Sequence, residues 1–486
     1  MREAPPSGHI RSDCGAVRLC LVFCLLGTTV ACQSESPEEP AVKVLTQAQL
    51  MDPATCQGCH PKHFEEWSGS MHAYASIDPV FLAMNQRAQR QTGGDIGDFC
   101  VKCHAPVAVA LGLTEDGLNL ESVPDYAQGV TCFACHSVDG ISQLHNNGLV
   151  LATDGVLRGG IKDPVENPAH ASAYSPHLDR EALHPSSDLC GSCHDIVNGH
   201  GVHLERTYAE WNASLYAKED PAGQQSCGQC HTRGRDDVAA EYPGVPIRRV
   251  HNHQMVGVDV ALTDFPQKAQ QRARIQRELS FSLASLLCVR STDGMNDIEV
   301  ALENIGVGHS WPSGATFDRR AWVELVAYDE SGQVIFESGV VGDDEPLREL
   351  DDPQLWELGS RGFDADGRPT NDFWDIVRLE SEVLPAPTAF SMLDPDYTDI
   401  HRRKFYRFAG AVPAAVSLRV LIRPLGLDVL DELIHEGDLD PAYRALIPTF
   451  ELGFTQVEWF AEDGDECVPV GHQDFYDTGR DQRGTP

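Results

Sequence analysis

Five pairs of cysteines spaced C-x-x-C, each followed directly by histidine, fall between residues 56 and 231. They read Cys56-Gln-Gly-Cys59-His60, Cys100-Val-Lys-Cys103-His104, Cys132-Phe-Ala-Cys135-His136, Cys190-Gly-Ser-Cys193-His194 and Cys227-Gly-Gln-Cys230-His231. Two cysteines three positions apart share one side of a helical turn, where both thiols can reach the vinyl groups of a porphyrin. The next histidine then comes under the ring, within reach of the iron as proximal ligand. With 16 Cys and 20 His in 486 residues, chance supplies about 0.02 such triplets. Structural zinc is the competing chemistry, but it joins C-x-x-C pairs two by two. An odd number of pairs, each with its own histidine, fits zinc badly. The motifs therefore predict five covalently bound haem c groups, with iron held on one side by His60, His104, His136, His194 and His231.

An iron with one protein ligand still has a second axial position, and what fills it separates a carrier from a catalyst. Five histidines are proximal and His9 lies in an N-terminal leader, so 14 remain against seven Met. Bis-histidine ligation is the default expectation. Context ranks the candidates. The stretch Cys59-His60-Pro-Lys-His63-Phe-Glu-Glu-Trp67-Ser-Gly-Ser70-Met-His72-Ala73 resembles the multihaem family that contains the tetrahaem cytochrome of ammonia oxidisers and hydroxylamine oxidoreductase. In that family the histidine of W-x-x-S-x-H-A is a distal ligand, and the resemblance carries this role to His72. His63, three residues from His60, suits surface packing better. Gly129-Val-Thr-Cys132-Phe-Ala-Cys135-His136 resembles the family's third site, and Ser187-Asp-Leu-Cys190 through His194-Asp195 its next site, followed by Thr207-Tyr-Ala-Glu210-Trp211.

His170 and His177 precede that fourth motif as alternatives, with His170 slightly favoured. The segment His251-Asn-His253-Gln-Met-Val-Gly257 resembles the family's H-x-F-x-G, which points to His253 over His251. Finally, Gly308-His309-Ser-Trp-Pro312-Ser-Gly314 resembles a G-H-x-x-P-[ST]-G loop in the β-domain of related multihaem proteins. A histidine there, between glycine and proline, is a loop residue. If His309 binds iron, the second domain closes over a haem. His145, His200 and His203 remain as alternatives for an unfilled position.

The elements that must position these residues follow from the rest of the chain. Residues 1–31 read as an export signal, with Arg11 and Arg18 before an apolar run, Leu19 to Val30, too short for a confident membrane span. Thr29-Val-Ala-Cys32 resembles a bacterial lipobox, which makes Cys32 the expected lipidation site; plain cleavage after Ala31 is the alternative. Residues 32–49 read as an acidic tether, and Gln33 and Ser34 resemble lipoproteins sent to the outer membrane. Cys14, Cys20 and Cys24 fall in the leader, so Cys288 and Cys467 are left over. In an oxidising compartment two such cysteines are expected to pair.

Residues 50–260 are expected to form the pentahaem domain, of loops and short helices with few strands. Residues 261–296 read as a helical connector. Period-two alternation from Ile298 and from Ala321, with a turn at Asp329–Gly332, predicts strands and a hairpin. Further strands are expected at 405–408, 416–422 and 450–460, and a helix at 428–435. The fold class is thus α + β in two domains, with an immunoglobulin-like β-sandwich over 297–470 and a flexible tail over 471–486. The acidic stretch 343–382 reads as an insertion loop.

A formal charge of −36 excludes nucleic acid as a natural partner and favours basic protein partners, or a mineral or cationic surface; redox partner proteins are expected, and a membrane contact through the lipid at Cys32. The leading expectation is an exported electron-transfer cytochrome of the periplasm or outer membrane. Two others stand beside it. One is an oxidoreductase with an open-coordination haem acting on hydroxylamine or a nitrogen or sulfur oxyanion; the other is a docking subunit of an extracellular electron conduit.

Overall fold

The computed structural model describes residues 44–218 and 223–469. The leader with Cys32, the tail over 471–486 and most of the 32–49 tether lie outside the described residues. The last residues of that tether already enter a helix, Gln47–Met51, opened by a capping box between Thr46 and Gln49.

Each C-x-x-C-H occupies one helical turn. The amides of Cys59 and His60 both donate to the Cys56 carbonyl, at 3.2 and 2.8 Å, and those of Cys193 and His194 to Cys190, at 3.1 and 2.9 Å. Helices Val101–His104, Cys132–His136 and Cys227–His231 repeat the arrangement. The turn places two thiols on one side with the imidazole beside them. Proline at the first helical turn starts many of these short helices, as at Pro53, Pro61 and Pro106. The apolar core here is small, centred on Val101, Val107, Leu120, Val123 and Phe133.

Pairing is more frequent than the expected few strands. Antiparallel ribbons join β1 (Val138–Ile141) to β2 (Leu149–Leu151), β5 (Ile196–Val197) to β6 (His203–Glu205) and β7 (Gly234–Val238) to β8 (Ile247–His251). A parallel ribbon joins β3 (Val156–Gly159) to β4 (Ala171–Tyr174). Each strand is short and its partner is set by a nearby motif, so little periodicity marks it in the sequence.

From Leu283 the chain is largely antiparallel sheet. The strands are β9 (Leu283–Thr292), β10 (Met295–Asn304), β11 (Arg320–Tyr328), β12 (Val334–Ser338), β13 (Trp356–Phe363) and β14 (Arg378–Glu382). They continue with β15 (His401–Ala409), β16 (Ala415–Arg423), β17 (Phe450–Glu451), β18 (Val457–Phe460) and β19 (Val468–Pro469). One sheet has the order β15-β10-β9-β19; the other runs β14-β13-β11-β16-β17, with β12 on β11 and β18 on β16. Leu283, Leu287, Val289, Ile298 and Leu302 of the first sheet meet Val323, Leu325, Leu418, Val420 and Ile422 of the second in one buried cluster. Two antiparallel sheets therefore share a core, and the molecule is a mixed α + β structure.

Three details differ from the sequence reading. The connector helix is Lys268–Ser280, and residues 283–292, assigned there to the connector, are strand β9. The run Leu283-Ala-Ser-Leu-Leu-Cys-Val is buried on both faces, so it carries no alternation. The 343–382 insertion holds β13 and β14, where Gly359 and Gly362 dilute the strand signal. The strand expected over 450–460 is broken by a 3₁₀ turn at Gly453–Thr455. Cys288 on β9 and Cys467 are joined by a disulfide that clips β19 along β9.

The two regions share packing. Helix Leu427–His435 buries Leu427, Leu430 and Leu433 against Ala83 and Met84 of helix Pro79–Gln91, and Arg87 pairs with Asp372. The fully buried Arg320 is held by both carboxylate oxygens of Asp428 and donates to the Phe317 carbonyl at 2.7 Å. Removing one member of a buried pair strands the other charge. Asp428→Ala is therefore expected to lower stability by about 3–5 kcal/mol, read from the denaturant midpoint. An unmoved midpoint would contradict this account of Arg320.

Candidate haem-binding site

The motif histidines are aimed by their Nδ1 atoms. Nδ1 of His60 lies 2.7 Å from the Ala239 carbonyl, His104 2.8 Å from Ala75, His136 2.6 Å from Arg158 and His231 2.9 Å from Val256. A carbonyl can only accept, so each Nδ1 carries the proton and Nε2 keeps its lone pair for a metal. Burial lowers the pKa of all four, which keeps the rings neutral. His194 is different. Burial works against its proton, yet the Glu205 carboxylate, 3.7 Å from Nδ1, outweighs that and raises the ring to about 9. A carboxylate partner makes a ligating imidazole more basic.

Three of these rings face a second imidazole brought from elsewhere in the chain. His194 and His72 have ring centres 6.2 Å apart, His136 and His253 6.3 Å, and His231 and His309 6.4 Å. Two imidazoles binding one metal ion from opposite sides, with metal–nitrogen bonds of about 2 Å, would put their centres about 6.3 Å apart. The residues present therefore fit the group that the motifs call for. Interplanar angles are 84° for His72–His194, 18° for His136–His253 and 11° for His231–His309. Burial holds His72 and His309 down at about 4 and lowers His253 as well, so all three offer a free lone pair at neutral pH. Nδ1 of His309 lies 2.9 Å from the Ser310 carbonyl and that of His253 3.2 Å from His251, again leaving Nε2 free. His72 has a buried Nδ1 with no partner.

Spacing alone does not make a pair. His60 and His63 are also 6.1 Å apart, but they sit three residues apart on one helical turn, side by side. His63 instead packs edge-on against His253, at 4.6 Å. His170 lies within electrostatic reach of both His60 and His136, and its Nδ1 is 3.2 Å from Ser172 Oγ. His177 lines a cavity of 530 Å³ with His145 and Asp188, with its Nδ1 3.0 Å from the Pro185 carbonyl. Neither ring stands opposite a motif histidine at the pair distance. His251 has a buried Nδ1 with no hydrogen-bond partner. His203 turns to Asp195, at 3.6 Å. Among the described residues, the ring stacked on His104 is Phe81, at 3.9 Å and 3°.

The motifs also adjoin one another. The thiol of Cys56 lies within electrostatic reach of Cys132, Cys103 of Cys193, and Cys190 of Cys227. First and third, second and fourth, and fourth and fifth motifs thus meet at the side chains that would anchor porphyrin edges. Sequence reasoning gave no role to Glu205 or Phe81. Their only signal is position, a carboxylate on the ribbon after motif four and an aromatic three residues past the Asp78 helix cap.

Comparison with known proteins agrees with this geometry. Residues 55–137 match the family model described as cytochrome c554 and c-prime. The fold is similar to the crystal structure of a penta-haem cytochrome c552 from Thermochromatium tepidum, with TM-score 0.59 and 21% identity. The match covers 84% of this chain and 98% of that one. No curated protein sequence matches the chain. The chain thus shares the fold of a penta-haem cytochrome c552 and, over residues 55–137, the pattern of cytochrome c554 and c-prime.

Proposed function

We propose that the protein is an exported electron-transfer cytochrome that passes single electrons through five covalently bound, mainly bis-histidine haems. The observation that carries this reading is the set of three imidazole pairs with ring centres 6.2–6.4 Å apart, His72–His194, His253–His136 and His309–His231, each joining a motif histidine to one distant in sequence. When bound, haem supplies an iron that cycles between two oxidation states. The chain's own residues do the rest. Motif cysteines fix each ring, and Nδ1–carbonyl bonds set the ligand tautomer. Imidazoles on both faces would keep a bound iron closed to substrate, and the adjoining motifs would hold neighbouring haems close to one another. For His60 the distal candidate we keep is His170, which lies within electrostatic reach of it. Lipidation at Cys32, with the periplasm or outer membrane as compartment, completes the proposal.

Rapid mixing of the oxidised protein with a one-electron reductant is expected to load five electrons per chain in steps. Added hydroxylamine, nitrite or sulfite is expected to produce no turnover. Sustained turnover would instead support a second reading, in which one haem keeps an open position and acts on such a molecule. His104 favours that reading locally, because its stacked ring partner is Phe81.

A further inference from the structure

The His309 loop belongs to the sheet region, yet it is fastened from the haem region by one carboxylate. Glu210 lies on helix Thr207–Ala213, which follows the fourth motif. Its Oε2 accepts the Ser310 amide at 3.1 Å and the Ser313 hydroxyl at 2.9 Å. Thr207 extends the same chain, with its hydroxyl 2.8 Å from Ser313 Oγ while its oxygen accepts the Gly314 amide at 3.2 Å. Every donor in this relay has one acceptor, so the loop His309–Gly314 is held at both ends of its turn.

The helix that carries Glu210 is itself fixed to two haem motifs. The Tyr208 amide donates to the His194 carbonyl at 3.0 Å, and Trp211 Nε1 donates to Gln225 O at 2.9 Å, just ahead of the fifth motif. Tyr216 and Trp211 also back the loop, since a Cβ on Gly308 would lie 3.3 Å from Tyr216 and 3.7 Å from Trp211. The sheet side adds the Asn304 amide on the His309 carbonyl and the Arg319 guanidinium on the Ser313 carbonyl, both at 2.9 Å, and a two-way backbone bridge between Trp311 and Leu384 at 2.8 Å. The loop is thus held from both sides, and Glu210 is the haem-side group that binds it at two points, Ser310 and Ser313.

We propose that Glu210 is the positioning residue for His309, fastening the distal imidazole over the fifth haem across the junction of the two regions. This rests on the reading of His309 as a haem ligand. Hydrogen bonds to a carboxylate are among the stronger ones, and this one is half-buried, so their loss should free the loop measurably.

The test uses the full-length haem-loaded protein and carbon monoxide as probe. Glu210→Ala is expected to raise the rate of carbon monoxide binding at one ferrous haem about tenfold or more, with new high-spin ferric signal from that same haem. Glu210→Gln, which keeps an acceptor oxygen, should show a smaller change of the same sign. Glu210→Ala combined with His309→Ala should match His309→Ala alone, because both act on one haem. If His309→Ala opens a haem and Glu210→Ala does not, the positioning role is overturned while the ligand reading stands. If His309→Ala opens no haem, the ligand reading itself fails. Should Glu210→Ala not accumulate, Ser313→Ala decides by the same measurement: faster binding at that haem supports the role, and an unchanged rate removes it.

Discussion

Alanine at both Cys227 and Cys230 is expected to yield a chain with four covalently bound haems in place of five. In the proposed reading these two cysteines anchor the fifth haem, and the His231–His309 pair, 6.4 Å between centres, would close around it. Without the ring the space between the imidazoles loses its filling, and the His309 loop loses its metal bond. The space exceeds that left by deleting any single aromatic side chain, so the expected loss of stability is more than about 5 kcal/mol. Haem content by mass of the denatured chain reads the first effect, and the denaturant midpoint reads the second. A variant that still carries five haems would remove Cys227 and Cys230 from the attachment set.

The second large effect concerns the sheet region. The disulfide between Cys288 and Cys467 closes a loop of 179 residues. Cross-linking so long a loop restricts the unfolded chain by about 5 kcal/mol at 25 °C. Serine at both positions is expected to lower the unfolding free energy by that order and to release β19 from β9. The haem signals should be unchanged, because neither cysteine belongs to a motif. Equal midpoints with and without a thiol reductant would show that the bond contributes nothing to the unfolded state's restriction.

The chemistry was legible before the fold. The five motifs are local, and their spacing alone puts two thiols and an imidazole on one helical turn, as found at Cys56–His60 and Cys190–His194. His72, His253 and His309 could be ranked from sequence only through resemblance, since each reaches its partner from far along the chain. Which histidine each one faces had no local signal at all: His72 meets His194, beyond the second and third motifs. The same holds for Glu205 and Glu210, whose roles depend on β6 and helix Thr207–Ala213 folding back on the haem motifs. In the sheet region, alternating strands such as β10 and β11 were readable. Strand β9 was not, because burial on both faces erases the period of two.

Electron paramagnetic resonance of the oxidised full-length protein tests the central claim most directly. The three imidazole pairs predict at least three low-spin ferric haems. The pairs at 18° and 11° should give two signals of ordinary rhombic shape. The pair at 84° should give one of much larger anisotropy, because crossed imidazole planes leave two iron d orbitals nearly degenerate. None of the three should shift when cyanide or hydroxylamine is added. A spectrum dominated by high-spin haem, or low-spin signals that all move with added ligand, would contradict the account.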